Sequence, residues 1–377
     1  MEVGPLTGGR APRVLVVGTV LGDPVGGVRR HNAELLPRVA ARLRASGGGL
    51  AVLEGRAPLA FEPGPDVEVL RGEVPAQPPL RRALVEGRAV RRALREAARD
   101  GRPFDVVHTG HLPVPAGLDV PLSWTVHDLR KLSPAGALSG ARGRLARAAF
   151  AGAARRAARV CVVSEAVGAA LNAEFTALSG RIDLVGNGAD HLPVVPRAPD
   201  PEPFLLHVGH VEARKNLEAL VRALALEPAL PRAVLVGAPK PGALEGLLDL
   251  ARRLGVLARI EFRGPADDGE LAGLYARAAC AVFPSRLEGF GIGVAEALRA
   301  GCPVAASDLP AHRGVAGAAA AFFDPSDPAD QVRALGVAMD RPPHGWRAPE
   351  WDSCAARWEQ SLHRSATTPA HGVPKRD

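Results

Sequence analysis

Aromatic side chains are scarce in this 377-residue chain: Phe, Trp and Tyr together make up 4%, and there is one tyrosine. A sequence so poor in flat rings offers few stacking platforms for nucleic-acid bases, and it carries no zinc-finger or RNA-recognition signature. A net charge of +7 is therefore not read as nucleic-acid binding. Cysteine is sparse as well. Cys161, Cys280, Cys302 and Cys354 stand apart with no CxxC or Cys/His spacing, which argues against disulfides and structural zinc and for buried, reduced thiols. Long hydrophobic runs are missing; VLVVGTVLG and its like are far too short to span a bilayer. The start, MEVGPLTGGRAPR, lacks the apolar centre of a secretion signal. The expectation is a cytoplasmic protein. No Asp-x-Asp pair occurs, and Asp267 and Asp268 in GPADDGEL read as helix-capping acids, so neither a metal nor another cofactor is expected.

What is present is alternation. Apolar residues make up 47% of the chain, in short Val/Ile/Leu runs separated by Ala/Leu/Arg stretches. Continuous runs without strict alternation suit parallel strands covered on both faces, an α/β arrangement. In the first half these are RVLVVGTVL (13–21), LAVLEG (50–55), VEVLRG (67–72), DVVHTG (105–110), LSWTVHD (122–128), VCVVSE (160–165) and IDLVGNG (182–188). The proline-rich, aperiodic PVVPRAPDPEP (193–203) reads as a linker. A second series follows: FLLHVG (204–209), AVLVGAP (233–239), RIEFRG (259–264), CAVFPS (280–285), PVAASD (303–308) and AAFFDP (320–325). The expected organisation is two doubly wound, Rossmann-like domains, 1–193 and 204–345, joined by 194–203, then one helix within 346–366 and a disordered tail, 367–377. Two open parallel sheets hold ligands at the carboxyl ends of their strands, and two such rims facing each other would make a cleft. Arginine clusters in LRRALVEGRAVRRALREAARDGR (80–102) and ARGRLARAAFAGAARRAARV (141–160), both read as helices. Each is either a solvated basic face or a surface drawn to an anionic membrane or an acidic substrate.

Two loops carry the chemistry. In SRLEGFGIGVAEALRAGCPV (285–304) a glycine loop leaves a strand and opens a helix that ends near Gly301. Glu288 falls in the loop and Glu296 in the helix, with the free amides of a helix start between them, a natural phosphate site. Gly289, Gly291 and Gly293 let a ligand approach the backbone. A ligand with hydroxyls at both ends and phosphate between them would fit, as a nucleotide sugar does; two incidental surface acids are the alternative. In HVGHVEARKNLEAL (207–220), Arg214 and Lys215 sit at a second strand–helix junction with Asn216 as a candidate cap. Four lysines stand beside 43 arginines in the whole chain, so a lysine here hints that a point charge is wanted, as a diphosphate would want.

These stretches, VGHVEARKNLEAL together with PSRLEGFGIGVAEALRAGCPVAASDLP, resemble the retaining nucleotide-sugar glycosyltransferases of family 4, with the GT-B fold. GDPVGGVRRHNAELLPRVAARL (22–43), TVHDL (125–129) and VGNGAD (185–190) are similar to that family's amino-terminal signatures. The resemblance implies that Glu288 holds donor-sugar hydroxyls and Glu296 the ribose. It implies that Arg214 and Lys215 grip the diphosphate, helped by backbone amides around Gly289, Phe290, Gly291 and Ile292, with Gly209 and Gly27 close to the donor. His127 would act at the sugar and incoming acceptor, and Gly26, His108, His111 and Asp128 would face the acceptor or shape its loop. The final helix, with Trp351 and Trp358, would cross back to brace the amino-terminal domain. The implied partners are a nucleotide sugar, with GDP-mannose favoured by HVGHVEARKNL and NGADH over UDP- or dTDP-sugars, and a hydroxyl acceptor on a glycan, glycolipid or small molecule.

Other readings remain at this stage. A glycosidase needs its two carboxylates flanking the scissile bond, and Glu296 is set back on a helix. A GT-B epimerase would act without an acceptor, and a phosphorylase would need a phosphate or pyridoxal site. A basic protein docking on membrane or nucleic acid would bind with steep salt dependence. A dinucleotide oxidoreductase fits least, because VVGTVLGDPVGG lacks GxGxxG spacing.

Overall fold

Each apolar run read as a strand forms one, and nearly all stop a few residues short of the run's end because the last residues turn into loops. The computed structural model describes residues 10–22, 26–130, 132, 140–341, 343 and 345–369. Its first sheet contains β1 (Arg13–Gly18), β2 (Gly49–Glu54), β3 (Val67–Leu70), β4 (Val106–Thr109), β5 (Leu122–Val126), β6 (Ala157–Val162) and β7 (Ile182–Leu184). Its second contains β8 (Phe204–Val208), β9 (Arg232–Val236), β10 (Ile260–Gly264), β11 (Cys280–Phe283), β12 (Val304–Ser307) and β13 (Ala321–Phe323). The helices are α1 (Gly27–Ala45), α2 (Pro79–Arg99), α3 (Gly140–Arg156), α4 (Glu165–Glu174), α5 (Leu217–Leu226), α6 (Ala243–Arg253), α7 (Asp268–Arg277), α8 (Ile292–Arg299), α9 (Pro310–Ala316), α10 (Pro328–Asp340) and α11 (Trp351–Ala366).

The chain divides into two units, and each has its own parallel sheet. In the first the strand order is β3-β2-β1-β4-β5-β6-β7; in the second it is β10-β9-β8-β11-β12-β13. Every strand pair is parallel. Each sheet is wound outward from its first strand, then returned to pair a later strand on that strand's other side. The order therefore reverses between β1 and β4, and again between β8 and β11. At such a switch point the loops leaving neighbouring strands diverge, which opens a crevice at their carboxyl ends.

The second sheet is covered on both faces, as its continuous apolar runs require. One face packs Leu217, Leu220 and Leu224 of α5, Leu247 and Leu250 of α6, and Leu335 of α10. The other packs Leu271, Leu274 and Tyr275 of α7 with Val294 and Leu298 of α8. Helix α7 opens on a capping box: Asp267 accepts from the Glu270 amide at 2.9 Å, and Glu270 reaches back to the Asp267 amide at 3.3 Å. The capping role read from GPADDGEL is the one Asp267 fills.

The division falls after Gly186: residues Asn187–Trp351 form the second unit, and the chain returns to the first from Asp352 onward. Within the first unit α11 is anchored by side chains of both signs. Glu359 accepts from Arg42 at 2.6 Å, Asp352 accepts from Arg38 at 3.0 Å, and Ser361 donates to Asp183 at 2.7 Å. Trp358 is fully buried, its ring 4.8 Å from that of His108 and 6.2 Å from that of His31. Trp351, the first residue of α11, is counted with the second unit.

All four cysteines are buried. Among the described residues no helix is long and apolar enough to cross a membrane. The arginine-rich helix α2 is a solvated basic face only in part. Arg81, Arg88, Arg92, Arg95 and Arg99 are exposed, whereas Arg82 is buried and donates to the carbonyls of Leu112 at 2.6 Å and Ala76 at 3.3 Å. The tail beyond 369 and the opening segment 1–9 lie outside the described residues.

Candidate functional site

The two loops singled out in the second half leave β8 and β11, the strands that bracket the second sheet's switch point. Non-adjacent in sequence, they are adjacent in space because β8 and β11 pair, Cys280 opposite Leu205. After β8 the backbone passes Gly209 at φ 152°, where a β-carbon would lie 3.3 Å from Nε2 of His207 and 3.3 Å from Cε of Lys215. A side chain at this position would therefore push on the lysine. Ala213–Lys215 then form a single 3₁₀ turn, one step ahead of α5. Arg214 and Lys215 thus belong to the turn before the helix and not to its first residues.

Asn216 does not cap α5 with its side chain. It holds a left-handed conformation, φ 53°, which few non-glycine residues adopt and asparagine tolerates best. Its buried amide instead donates to the carbonyls of Pro325 at 2.8 Å and Pro284 at 3.0 Å. The backbone N–H of Arg286 also donates to the Arg214 carbonyl at 2.8 Å. The turn after β8 is thereby pinned to the loop after β11, and the charged side chains follow.

Lys215 donates to Glu288 Oε1 at 2.6 Å, Arg214 donates to Oε2 at 3.1 Å, and Ser285 Oγ adds a hydrogen bond to Oε1 at 2.8 Å. Glu212 lies 2.8 Å from Arg214 on its other side. Burial alone would push the Glu288 carboxyl up, but the Lys215 and Arg214 cations outweigh it and hold the group well below the usual carboxylate range. Two histidines flank the cluster. His207 Nδ1 is 2.9 Å from the Val282 carbonyl and His312 Nδ1 is 2.9 Å from the Ser307 carbonyl. An acceptor at Nδ1's side requires the proton there, so each ring turns a bare Nε2 the other way. Burial, reinforced by Lys215, lowers His207 to about 4. Burial also lowers His312, with Glu288 pulling in the opposite direction.

Helix α8 starts at Ile292 from a left-handed Gly291, φ 97°. A β-carbon there would lie 3.0 Å from Cδ2 of His312, so glycine is required by both conformation and space. The amides of Val294 and Ala295 return to the Gly291 carbonyl, which leaves those of Ile292 and Gly293 outside the helix's own ladder. Gly289 is buried and Phe290 half-buried beside them. Glu296 comes one turn later on the buried side of α8. Its Oε1 is 3.0 Å from His191 Nε2, and its Oε2 accepts from the Tyr275 hydroxyl at 3.0 Å.

The residues expected from the first half lie in the first unit, around its own switch point. Gly26 precedes α1 at φ 113° and Gly27 is the helix's first residue; residues 23–25 of the same glycine loop lie outside the described residues. His127 follows β5 with its ring 4.8 Å from that of His31, edge to face. Its Nε2 points at Gly110, where a β-carbon would be 3.4 Å away, and has no hydrogen-bond partner among the described residues. Burial, then the neighbouring histidines, lowers its pKa well below the ordinary value, so the ring is neutral. Asp128 accepts from the Arg130 amide at 3.1 Å and shapes that loop.

His108 is a correction. It lies within β4, buried, with Nδ1 3.0 Å from Ser123 Oγ and Nε2 3.1 Å from Thr125 Oγ1. Both nitrogens are spent inside the sheet and burial lowers its pKa to about 3, so it faces no acceptor. His111 is also engaged, its Nε2 2.8 Å from the buried Glu86, a residue of α2 that the charge pattern hid among arginines. Thr19 donates to the same carboxylate. Other residues missed in the sequence are Ser285, Tyr275, His191, His207 and His312. Of these, only Tyr275, the single tyrosine of the chain, carried a compositional signal.

Among the described residues no group of three or more His, Cys, Asp or Glu is arranged to hold a metal ion. Arg214 and Lys215 are cationic side chains of this site, opposed by Glu288 and Glu212.

Each half of the chain matches a known family of proteins. Residues 25–191 match the family described as Glycosyltransferase Family 4, and residues 190–345 match Glycosyl transferases group 1. A serotype-specific mannosyltransferase, WbdA of Escherichia coli, is 35% identical over 144 residues, 37% of this chain and 18% of that protein. The chain spans less than half the length of the curated relatives it matches. Among solved structures, sucrose-phosphate synthase from Thermosynechococcus elongatus superposes with a TM-score of 0.71 at 20% identity, covering 94% of each chain. Anabaena HepE in complex with UDP-glucose gives 0.64 at 19% identity, covering 95% of each. With one family description spanning β2 to β7 of its first sheet and the other the whole of its second, the chain belongs to the family 4 glycosyltransferases and has the GT-B fold.

Proposed function

We propose that this protein transfers a hexosyl group from a nucleotide-diphosphate sugar to a hydroxyl of an acceptor, with retention of anomeric configuration and without a metal ion. The observation that carries the reading is the Lys215–Glu288–Arg214 cluster at the switch point, with the unladdered amides of α8 beside it and Glu296 one turn further on. Phosphate oxygens would be taken by Lys215, Arg214 and the amides of Ile292 and Gly293. Glu288, kept ionised by its two cations, has one acceptor direction left, on Oε2, for a hydroxyl of the donor sugar. Glu296 would take the ribose.

In the transfer, the acceptor oxygen bonds to the anomeric carbon as the bond from that carbon to the diphosphate oxygen breaks. The acceptor's proton passes to the departing diphosphate on the same face, so no protein base is needed. Charge grows on the leaving oxygen, and preorganised cations and amides are worth most at that moment. His127, neutral and with a bare ring nitrogen, is proposed to meet the sugar or the incoming acceptor. GDP-mannose is the favoured donor, supported by the similarity to a mannosyltransferase.

The test is a thermal-shift series with GDP, UDP and dTDP. A ligand of the native state at 100 times its Kd stabilises by about 2.7 kcal/mol, so at least one nucleotide should raise Tm clearly. The matching mannosyl or glucosyl donor, incubated with acceptor glycans, should give product of unchanged anomeric configuration by NMR. No shift with any nucleotide would overturn the reading, and conversion of the donor without acceptor would favour an epimerase.

A further inference from the structure

We infer that His191 is a positioning residue for Glu296, aiming that carboxylate so that each of its oxygens keeps one lone pair for a ribose hydroxyl. The inference rests on the proposed role of Glu296 at the ribose and adds the device that orients it. An indole N–H can only donate. Trp351 Nε1 lies 3.1 Å from His191 Nδ1, so Nδ1 must be the acceptor and the imidazole proton is on Nε2. That proton faces Glu296 Oε1 at 3.0 Å. The tautomer is thus set by the tryptophan, and the ring is able to donate to the carboxylate without itself being charged.

The second oxygen is served separately, by the Tyr275 hydroxyl at 3.0 Å. Burial and the nearby Glu296 charge both push the tyrosine's pKa far up, so it stays a phenol and a donor. Each carboxylate oxygen receives one internal hydrogen bond and has one more acceptor direction. The carboxylate cannot rotate without losing both bonds in a nearly dry setting: the His191 side chain is 2% exposed and that of Glu296 8%. Trp351 is itself held, its backbone N–H donating to Asp190 at 2.8 Å, while the Ala189 N–H donates to the Pro349 carbonyl at 2.9 Å. The segment carrying His191 and the start of α11 are therefore stitched together, and the stitch ends on Glu296.

The experiment is a set of Kd values, by calorimetry, for GDP, UDP and their 2′,3′-dideoxy counterparts on the full chain. The wild type should bind at least one ribonucleotide tighter than its dideoxy partner by about tenfold or more, the range of hydrogen bonds to a charged group. His191→Phe, which fills the space but neither accepts nor donates, should bring that ratio close to one. His191→Gln, whose amide oxygen can accept from Trp351 while its NH₂ donates to Glu296, should restore it. If His191→Phe does not fold, Trp351→Phe removes the donor that sets the tautomer, along with part of a buried ring, and should lower the same ratio while weakening both nucleotides through the lost packing. A merely structural role would weaken both nucleotides alike and leave the ratio intact, which would overturn the inference, as would a wild-type ratio of one. No binding of any nucleotide by the wild type would instead overturn the nucleotide site itself.

Discussion

The Lys215 ammonium and Glu288 Oε1, 73 positions apart in the chain, are 2.6 Å apart in the fold. The pair exists because β8 and β11 are neighbours, and it makes the lysine's function separable from its structural contribution. Lys215→Ala should lower kcat/KM for transfer by about 10²-fold or more, the usual scale for one group opposed to developing charge. Folding should suffer less, since Arg214 and Ser285 still hold Glu288. Turnover assays and thermal unfolding on the same sample check this; equal turnover would remove Lys215 from the proposed mechanism.

Gly291→Ala places a β-carbon at φ 97°, 3.0 Å from the His312 ring. The left-handed conformation alone costs about 1–2 kcal/mol for an L residue. The start of α8 should shift, and nucleotide affinity should fall more than stability does. Paired calorimetric titration and chemical denaturation measure the two effects; wild-type affinity would show that the amides there do not meet the ligand.

Asn216→Ala removes both amide hydrogen bonds to Pro284 and Pro325. Leaving buried acceptors unmet costs about 1–3 kcal/mol each, so the denaturation midpoint should drop markedly. Because the same amide pins the turn carrying Arg214 and Lys215, nucleotide binding should weaken as well. Asn216→Asp, which places acceptors against carbonyls, should be worse than alanine in both assays.

Acid should destabilise the protein from near neutrality downward. Burial holds His108 at about 3 and His207 at about 4 in the native state, below the ~6.5 of an exposed imidazole. As pH falls below about 6.5 the unfolded chain takes up protons that the native chain does not. Each histidine then subtracts up to about 1.4 kcal/mol per pH unit, until the native values are reached. Glu288 acts in the same direction lower down, because its native carboxyl stays ionised below the ~4.3 at which the unfolded one protonates. Denaturant midpoints between about pH 7 and 4.5 give the slope, and His207→Gln should flatten it by about one proton. An unchanged slope would mean that His207 is not held neutral by the fold.

The strands were legible because parallel strands are buried on both faces, so VLVV of β1 and CAVF of β11 read as unbroken apolar runs whatever surrounds them. The two ligand loops were legible for a related reason. Loops that leave such strands at a switch point must turn sharply and stay polar, and glycines beside Glu288 and a rare lysine at 215 stand out against an Ala/Arg background. Asp267 was legible since a capping box is complete within four residues. Asn216 was not, because its partners, Pro284 and Pro325, come from loops distant in sequence. The His191–Glu296, Tyr275–Glu296 and His111–Glu86 contacts were hidden for the same reason, and His108 was misassigned because a histidine near a strand end has the same sequence signature inside the sheet or outside it.

By itself, then, the amino-acid order determined what is local: the periodicity of buried strands, the starts of helices and the chemical kinds of residue on each loop. Strand order decided the rest. Pairing β11 with β8, out of chain order, brings Glu288 onto Lys215. Trp351, some 160 positions beyond His191, selects the tautomer that faces Glu296, and a hydrogen bond made across that separation leaves no periodic trace in the chain.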